Sequence, residues 1–249
     1  SSAASDVYKR QGLYHQVDGT QKDQALCLYG TGNTLRQVGR YGEACIAFQE
    51  ALGLYRQVEG TEKSQAECLN GIGKALHATG RYARAREAFR DARDLCPSLP
   101  GTQYQQADSL CESGVALSAE GRHEEALSRF RQALDLYRQM KGTEKDQADC
   151  LYDTGVALGA AGCHEAAAAS YRAAADLYAT LAGTGRQQGT CLYRLGGALA
   201  ELGRYEEASS TYAAAVGLHP GLREEAGVDD DTLHRAWSTR SLAEDRGLP

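Results

Sequence analysis

One spacing restricts this chain more than any other feature: a 41-residue stretch, read most clearly from Thr61 to Gly101, recurs five times without insertion or deletion. The triplet Gly-Arg-Tyr or Gly-Arg-His, once Gly-Cys-His, starts at Gly39, Gly80, Gly121, Gly162 and Gly203. A second mark, Gly-Thr, starts at Gly19, Gly60, Gly101, Gly142 and Gly183. A period of this size belongs to arrays of small supersecondary units, each unable to bury its apolar face alone and therefore obliged to stack.

Within a unit the pattern is helical twice over. Leu69, Ile72, Gly73 and Leu76, or Leu192, Leu195, Gly196 and Leu199, recur at the spacing of one helix face. Thr20, Thr61, Thr102, Thr143 and Thr184 stand where an N-cap belongs. Gln three residues on, at Gln105 and Gln187, completes a capping box in two copies. The glycine of the first mark is expected to end this helix, because glycine takes the left-handed conformation without steric cost. Tyr41, Ala44, Phe48, Ala51 and Leu52 then define a second amphipathic helix, ended by Gly60. The spacing predicts first helices over 21–38, 62–79, 103–120, 144–161 and 185–202. Second helices are predicted over 42–58, 83–95, 124–140, 165–181 and 206–218, the second of these stopped early by Pro97.

The unit resembles the tetratricopeptide repeat. That family places a large apolar residue, Gly and a large residue on the first helix, then Gly-x-Tyr, Ala, an aromatic and Ala on the second. Leu28, Gly32, Leu35, Gly39, Tyr41, Ala44, Phe48 and Ala51 fill these slots, as do Leu69, Gly73, Leu76, Gly80, Tyr82, Ala85, Phe89 and Ala92. The third, fourth and fifth units follow suit, with His123 and His164 in the tyrosine slot and Tyr171 and Tyr212 in the aromatic one. Each unit exceeds the family's usual 34 residues by about seven, a lengthening similar to kinesin-light-chain-type arrays and to arrays attached to bacterial signalling proteins. Leu replaces the family's usual Trp on the first helix. The resemblance implies an all-α, right-handed superhelical solenoid of stacked antiparallel hairpins.

Residues 12–220 are expected to form the array, opening with the tail of another helix at Gly12 to Val17. Residues 1–11 do not continue the repeat backwards and are read as a non-native or disordered leader; the native array is expected to begin earlier, making the chain a fragment. Residues 221–249, with Asp229, Asp230 and Asp231 ahead of Leu233 and Trp237, are expected to form a capping helix and tail.

Net charge −6 argues against nucleic acid, which calls for a basic stripe, and no apolar run approaches a membrane span. Four of the eight cysteines, Cys27, Cys68, Cys150 and Cys191, share one slot that holds Ser109 in the third unit. A slot that alternates Cys with Ser at this period reads as small buried packing, not a disulfide or a metal site, and points to a reducing, cytoplasmic compartment. Glycine-rich stretches such as Gly30 to Thr34 lack the Lys of a phosphate loop. No nucleophile is matched with a base, so neither catalysis nor a cofactor is expected.

The resemblance implies a protein-interaction scaffold that holds a peptide or partner helix in a concave groove lined by first helices. On that analogy the candidate partner-binding residues are Tyr29, Asn33, Arg36, Asn70, Lys74, His77, Asp108, Glu112, Asp149, Tyr152, Asp153, Tyr193 and Arg194. Asp108, Glu112, Asp149 and Asp153 are expected to make the centre acidic, with Tyr152 and Tyr193 offering flat faces, so that the segment bound carries Lys or Arg flanked by apolar residues. A chaperone-type carboxylate clamp built on Asn33, Asn70 and Lys74 is disfavoured by Asp108 and Glu112, which would repel a terminal carboxylate. The alternative is a sensor or oligomerisation array of a signalling NTPase or protease whose catalytic domain lies outside this chain.

Overall fold

The computed structural model describes residues 21–95 and 102–221, and among these every regular element is a helix. Ten occur in order: α1 (Gln21–Gln37), α2 (Tyr41–Tyr55), α3 (Glu62–Ala78), α4 (Tyr82–Asp94), α5 (Gln103–Ala119), α6 (His123–Tyr137), α7 (Glu144–Ala160), α8 (His164–Ala179), α9 (Gly185–Glu201) and α10 (Tyr205–Leu218). The first helices match the sequence expectation to within one residue, and α4 stops at Asp94, ahead of Pro97 as expected. The leader at 1–11, the helix tail at 12–17 and the cap beyond 221 lie outside the described residues.

Each first helix ends where its glycine reverses the chain. Gly80, at φ +73°, donates to the His77 carbonyl at 2.9 Å while Arg81 N–H reaches back to Leu76 O at 2.9 Å. This pair of bonds satisfies carbonyls that the helix leaves orphaned. Such a reversal within three residues sets α3 and α4 antiparallel. Three second helices, α2, α6 and α8, end two or three residues earlier than expected, while α10 ends at Leu218 as expected. After Tyr55 the chain tightens, with Gln57 N–H to Leu54 O and Val58 N–H to Tyr55 O, both 3.0 Å.

Thr61, Thr102, Thr143 and Thr184 hold the N-cap position but make no side-chain cap bond to their own helix. Thr61 sits at φ −109°, ψ 15°, outside the extended conformation from which a side chain can meet the N–H groups of its own helix. Its hydroxyl turns backwards and donates to the end of the preceding helix, with Tyr55 O at 2.6 Å and Val58 O at 2.7 Å. Thr143 and Thr184 do the same for α6 and α8. Gln65 and Gln147, one residue beyond the capping-box position, each donate to the threonine oxygen at 3.1 Å. The motif therefore ties one hairpin to the next.

The chain forms two compact units, residues 1–125 and 126–249, dividing early in α6. In the first, Phe48, Ala51, Leu52 and Tyr55 of α2 pack with Leu35 of α1, Leu69 and Ile72 of α3, and Ala88 and Ala92 of α4. In the second, Tyr171 and Tyr212 lie in a cluster with Leu195, Leu199 and Ala208, and Tyr178 lies in another with Ala148, Ala174 and Cys191. In four of the hairpins the aromatic of the second helix presses on a first-helix glycine, as Phe48, Phe89, Tyr171 and Tyr212 do on Gly32, Gly73, Gly155 and Gly196. A Cβ added at Gly73 would lie 2.4 Å from the Phe89 ring, and one at Gly155 would lie 2.6 Å from Tyr171. Phe48 is held between Gly32 of its own hairpin and Gly71 of the next, at 2.7 and 2.8 Å from the Cβ positions.

Two outcomes follow for stability. Gly73→Ala gains about 1 kcal/mol in helix propensity but must displace a ring that is 1% exposed, so a net loss of about 1–3 kcal/mol is expected by urea unfolding. Gly155→Leu should lose more, whereas Gly30→Ala, with nothing within 4 Å of its Cβ, should gain about 0.5–1 kcal/mol.

The repeating cysteine slot behaves as expected. Cys68, Cys150 and Cys191 are buried thiols and Cys27 is half-buried, while Cys163 stands exposed in a loop. Burial pushes the Cys68 and Cys191 thiols up to about 12, which leaves little thiolate at neutral pH. Brief alkylation of native protein followed by mass spectrometry should label Cys163 well ahead of Cys68, Cys150 and Cys191, which should react only on unfolding.

Candidate functional site

In the first unit three consecutive first helices, α1, α3 and α5, contribute one stretch of surface. Their lengths match and their hairpins repeat, so residues one period apart fall side by side. Tyr29, Asn33 and Arg36 of α1, Asn70 and Lys74 of α3, and Asp108 of α5 line an open depression of about 240 Å³. Sequence reasoning named all six as candidates. Glu67, Tyr104 and Gln105 also line it, and Gln105 Nε2 donates to Glu67 at 3.2 Å.

The charges here are internally matched. Lys74 Nζ stands 3.1 Å from Asp108 Oδ1 and 3.2 Å from Glu112 Oε1. Burial alone would lower the Lys74 amine, but Glu112 and Asp108 outweigh it and raise it. Glu112 is itself held above the usual carboxylate range by burial, only partly relieved by Lys74. In the first unit the expected acidic centre is therefore partly offset: Asp108 and Glu112 surround an ammonium group. Asn70, 5% exposed, donates to Asp108 at 3.1 Å and accepts from the Ser109 hydroxyl at 2.8 Å.

Ser109 is the residue that sequence reasoning misjudged, taking it for mere small packing. The available signal was paired: the second unit alone places Asn in the slot of Tyr29, Tyr152 and Tyr193, and the following unit alone places Ser in the cysteine slot. Together they fix the Asp108 carboxylate. Two polar atoms on the depression remain unmatched. Arg36 Nε, a donor, and Gln105 Oε1, an acceptor, are shut off from solvent without a hydrogen-bond partner among the described residues.

His77 does not join the depression. Its ring packs on Tyr82 of the same hairpin, centroids 5.2 Å apart, and burial lowers its basicity.

In the second unit Asp149, Tyr152 and Asp153 of α7 and Tyr193 and Arg194 of α9 lie on first helices. Asp149 accepts from the Tyr178 hydroxyl and from Lys145 Nζ, the latter at 2.8 Å. Tyr178 is raised by burial first and by Asp149 second. Arg194 shares a hydrogen bond with Tyr152. Tyr152 and Tyr193 are half-buried, their rings tilted against Tyr171 and Tyr212 at 5.7 and 5.3 Å. Each therefore spends one face on its own hairpin. Among the described residues no group of three or more His, Cys, Asp or Glu is placed to hold a metal, and no helix is long and apolar enough to cross a membrane.

Helical hairpins repeated at one period, four of them with an aromatic wedged on a first-helix glycine, define a helical-repeat protein. Family comparison gives that class its name: the tetratricopeptide repeat model matches residues 24–98 and 105–180, and a second model of the same description matches 171–222. The chain belongs to the tetratricopeptide repeat family. Among solved structures it is similar to BtubC (BKLC) from P. vanneervenii, at TM-score 0.73 and 15% identity over 89% of this chain and 90% of that one. It is also similar to nearly identical TPR-like repeats of a putative kinesin light chain from Podosopora anserina, at TM-score 0.65 and 14% identity over 82% and 98%. A third is YrrB, described as a TPR protein with an unusual peptide-binding site, at TM-score 0.52 and 18% identity over 87% and 92%. No curated protein matches by sequence.

Removing the ammonium from the Asp108 and Glu112 pair should expose its cost. Lys74→Met is expected to destabilise the protein by about 2 kcal/mol at pH 7, below the figure for a fully buried pair because the groups are part-exposed. Glu112, already raised, would rise further in the variant and be protonated more readily in the folded state. The deficit should therefore shrink as pH falls toward 4, read from urea midpoints of parent and variant across pH.

Proposed function

We propose that the protein is an interaction scaffold that binds a peptide segment of a partner on its first-helix face, centred in the first unit on the depression between α1, α3 and α5. The observation that carries this reading is the unmatched pair, Arg36 Nε and Gln105 Oε1, lining the same depression. One unmatched donor and one unmatched acceptor, once their side chains turn into the depression, are what a peptide group with one carbonyl and one N–H can satisfy. Asn33 beside them offers a further donor and acceptor. The peptide-binding site described for YrrB supports the class of ligand. A cytoplasmic setting accords with the buried thiols.

The preferred segment carries Lys or Arg flanked by apolar residues. Its cation would find Glu67 at the depression of the first unit and Asp153 on the second unit's face. Because Lys74 and Lys145 already neutralise neighbouring carboxylates, the charge preference is modest. Apolar contact with Tyr104, 41% exposed, and Tyr29 contributes more.

A peptide array read with the parent and with an Arg36→Met, Gln105→Met double variant tests the proposal. The double variant should lose at least tenfold in affinity for peptides the parent selects, and Asp153→Lys should deplete Lys- and Arg-bearing peptides from the selected set. If the double variant, with an unchanged melt, recovered the same peptides at the same affinity, the first-helix face would not be the binding surface.

A further inference from the structure

The opposite side of the first unit departs from the repeat in a way the first-helix face does not explain. The second helices α2 and α4, both antiparallel to α3, run side by side with a furrow of about 670 Å³ between them. Its floor is apolar, made by Leu52 of α2 and by Leu69, Ile72 and Leu76 of α3. Ile46 stands on its wall and is 56% exposed.

Three slots facing this furrow differ from their equivalents one period away. The other units hold Glu87, Ser128, Ala169 and Ser210 where Ile46 stands, so the large apolar side chain is peculiar to this wall. Gly42 and Ala83 replace the Glu124, Glu165 and Glu206 of later units, so neither position carries a carboxylate here. The third difference is a reversal of charge. Arg40, Arg122 and Arg204 each pair with a glutamate three residues on, at 2.6–2.7 Å for the Nε contacts with Glu43, Glu125 and Glu207. In the second unit that glutamate is Arg84, so Arg81 faces a like charge.

Neither Arg81 nor Arg84 has an ion-pair partner among the described residues, although both line the furrow. They also crowd the N-terminus of α4, the one second helix with no acid in its first turn. The helix dipole there adds to their positive potential. At the far end the lining residues are Arg56 and Asp91, the latter paired with Arg90 at 3.8 Å. The furrow thus has an apolar floor and a positive mouth at Arg81 and Arg84, with the carboxylates of Glu87 and Asp91 and the guanidinium of Arg56 further along it.

We infer that the furrow between α2 and α4 docks an acidic amphipathic segment of a partner protein, its apolar side on Ile46, Leu69 and Ile72 and its carboxylates on Arg81 and Arg84. From Gly42 to Leu52 the furrow is about 15 Å long at 1.5 Å per residue, room for about three helical turns. Placing carboxylates at the mouth removes the like-charge repulsion and supplies the pair that the other units form internally. The site is separate from the first-helix face and does not depend on it.

The test uses the full chain and a fluorescein-labelled helical peptide with leucines every third or fourth residue and glutamates at both ends, read by anisotropy. A peptide with lysines in place of the glutamates is the control. Arg84→Glu recreates the internal pair and should keep or raise the melting temperature while weakening the acidic peptide at least tenfold. Ile46→Ser, which installs the residue of the third and fifth units, should weaken it several-fold. Added salt should weaken it as well. The inference is overturned if the parent does not bind, if both peptides bind alike, or if Arg84→Glu binds as the parent does. Loss of binding in Arg36→Met, Gln105→Met instead of Arg84→Glu would place the peptide on the other face and equally overturn it.

Discussion

An aromatic ring lying on the bare backbone of a facing helix is the contact on which this structure depends. Phe48 fills the space that Gly32 and Gly71 leave open, Phe89 lies on Gly73, Tyr171 on Gly155 and Tyr212 on Gly196. Such a contact sets the separation of two helices, because neither a smaller ring nor a side chain at the glycine would keep interior density. In the case of Phe48 the same ring touches both its own hairpin and the next. Packing within a hairpin and stacking between hairpins are therefore one event there, which is why a single hairpin has no complete core.

Polar interactions act on that framework by position more than by strength. Thr61, Thr143 and Thr184, each opening a first helix, hand their protons to the carbonyls that end the preceding helix, satisfying groups that would otherwise be buried unmatched. Lys74, Asp108 and Glu112 form a compact network in which one ammonium offsets two carboxylates, with Asn70 and Ser109 fixing one of them. That network offsets part of the charge on the face expected to be acidic. What remains to recognise a guest is shape, the exposed part of two tyrosines and the two polar atoms with no internal match.

A repeat protein carries its own internal control. Positions that hold one residue type in every copy report the fold; positions that break the pattern report what a particular surface does. Asn70 with Ser109, and Ile46 with Arg84, are such breaks, and each pair meets in space on one face of the first unit. The first-helix and second-helix faces therefore carry separate specialisations on a common frame.

Much of the fold was legible because it is local and repeated five times. The 41-residue period, the glycine stops and the alternation of leucine, glycine and aromatic slots determined the hairpins, their ends to within a few residues and the burial of the cysteine slot. Six of the candidate residues proved to share one depression because equal repeats place equivalent residues side by side. Tertiary structure decided what periodicity cannot encode: which way a side chain turns and which charge it meets. Thr61 caps backwards because its backbone conformation aims it there, His77 turns to Tyr82 because that ring lies within reach, and Asp108 and Glu112 can stand side by side because Lys74, from the preceding first helix, arrives between them. A sequence lists charges in order along the chain. Their pairing depends on distances of a few ångströms that only the packed helices set.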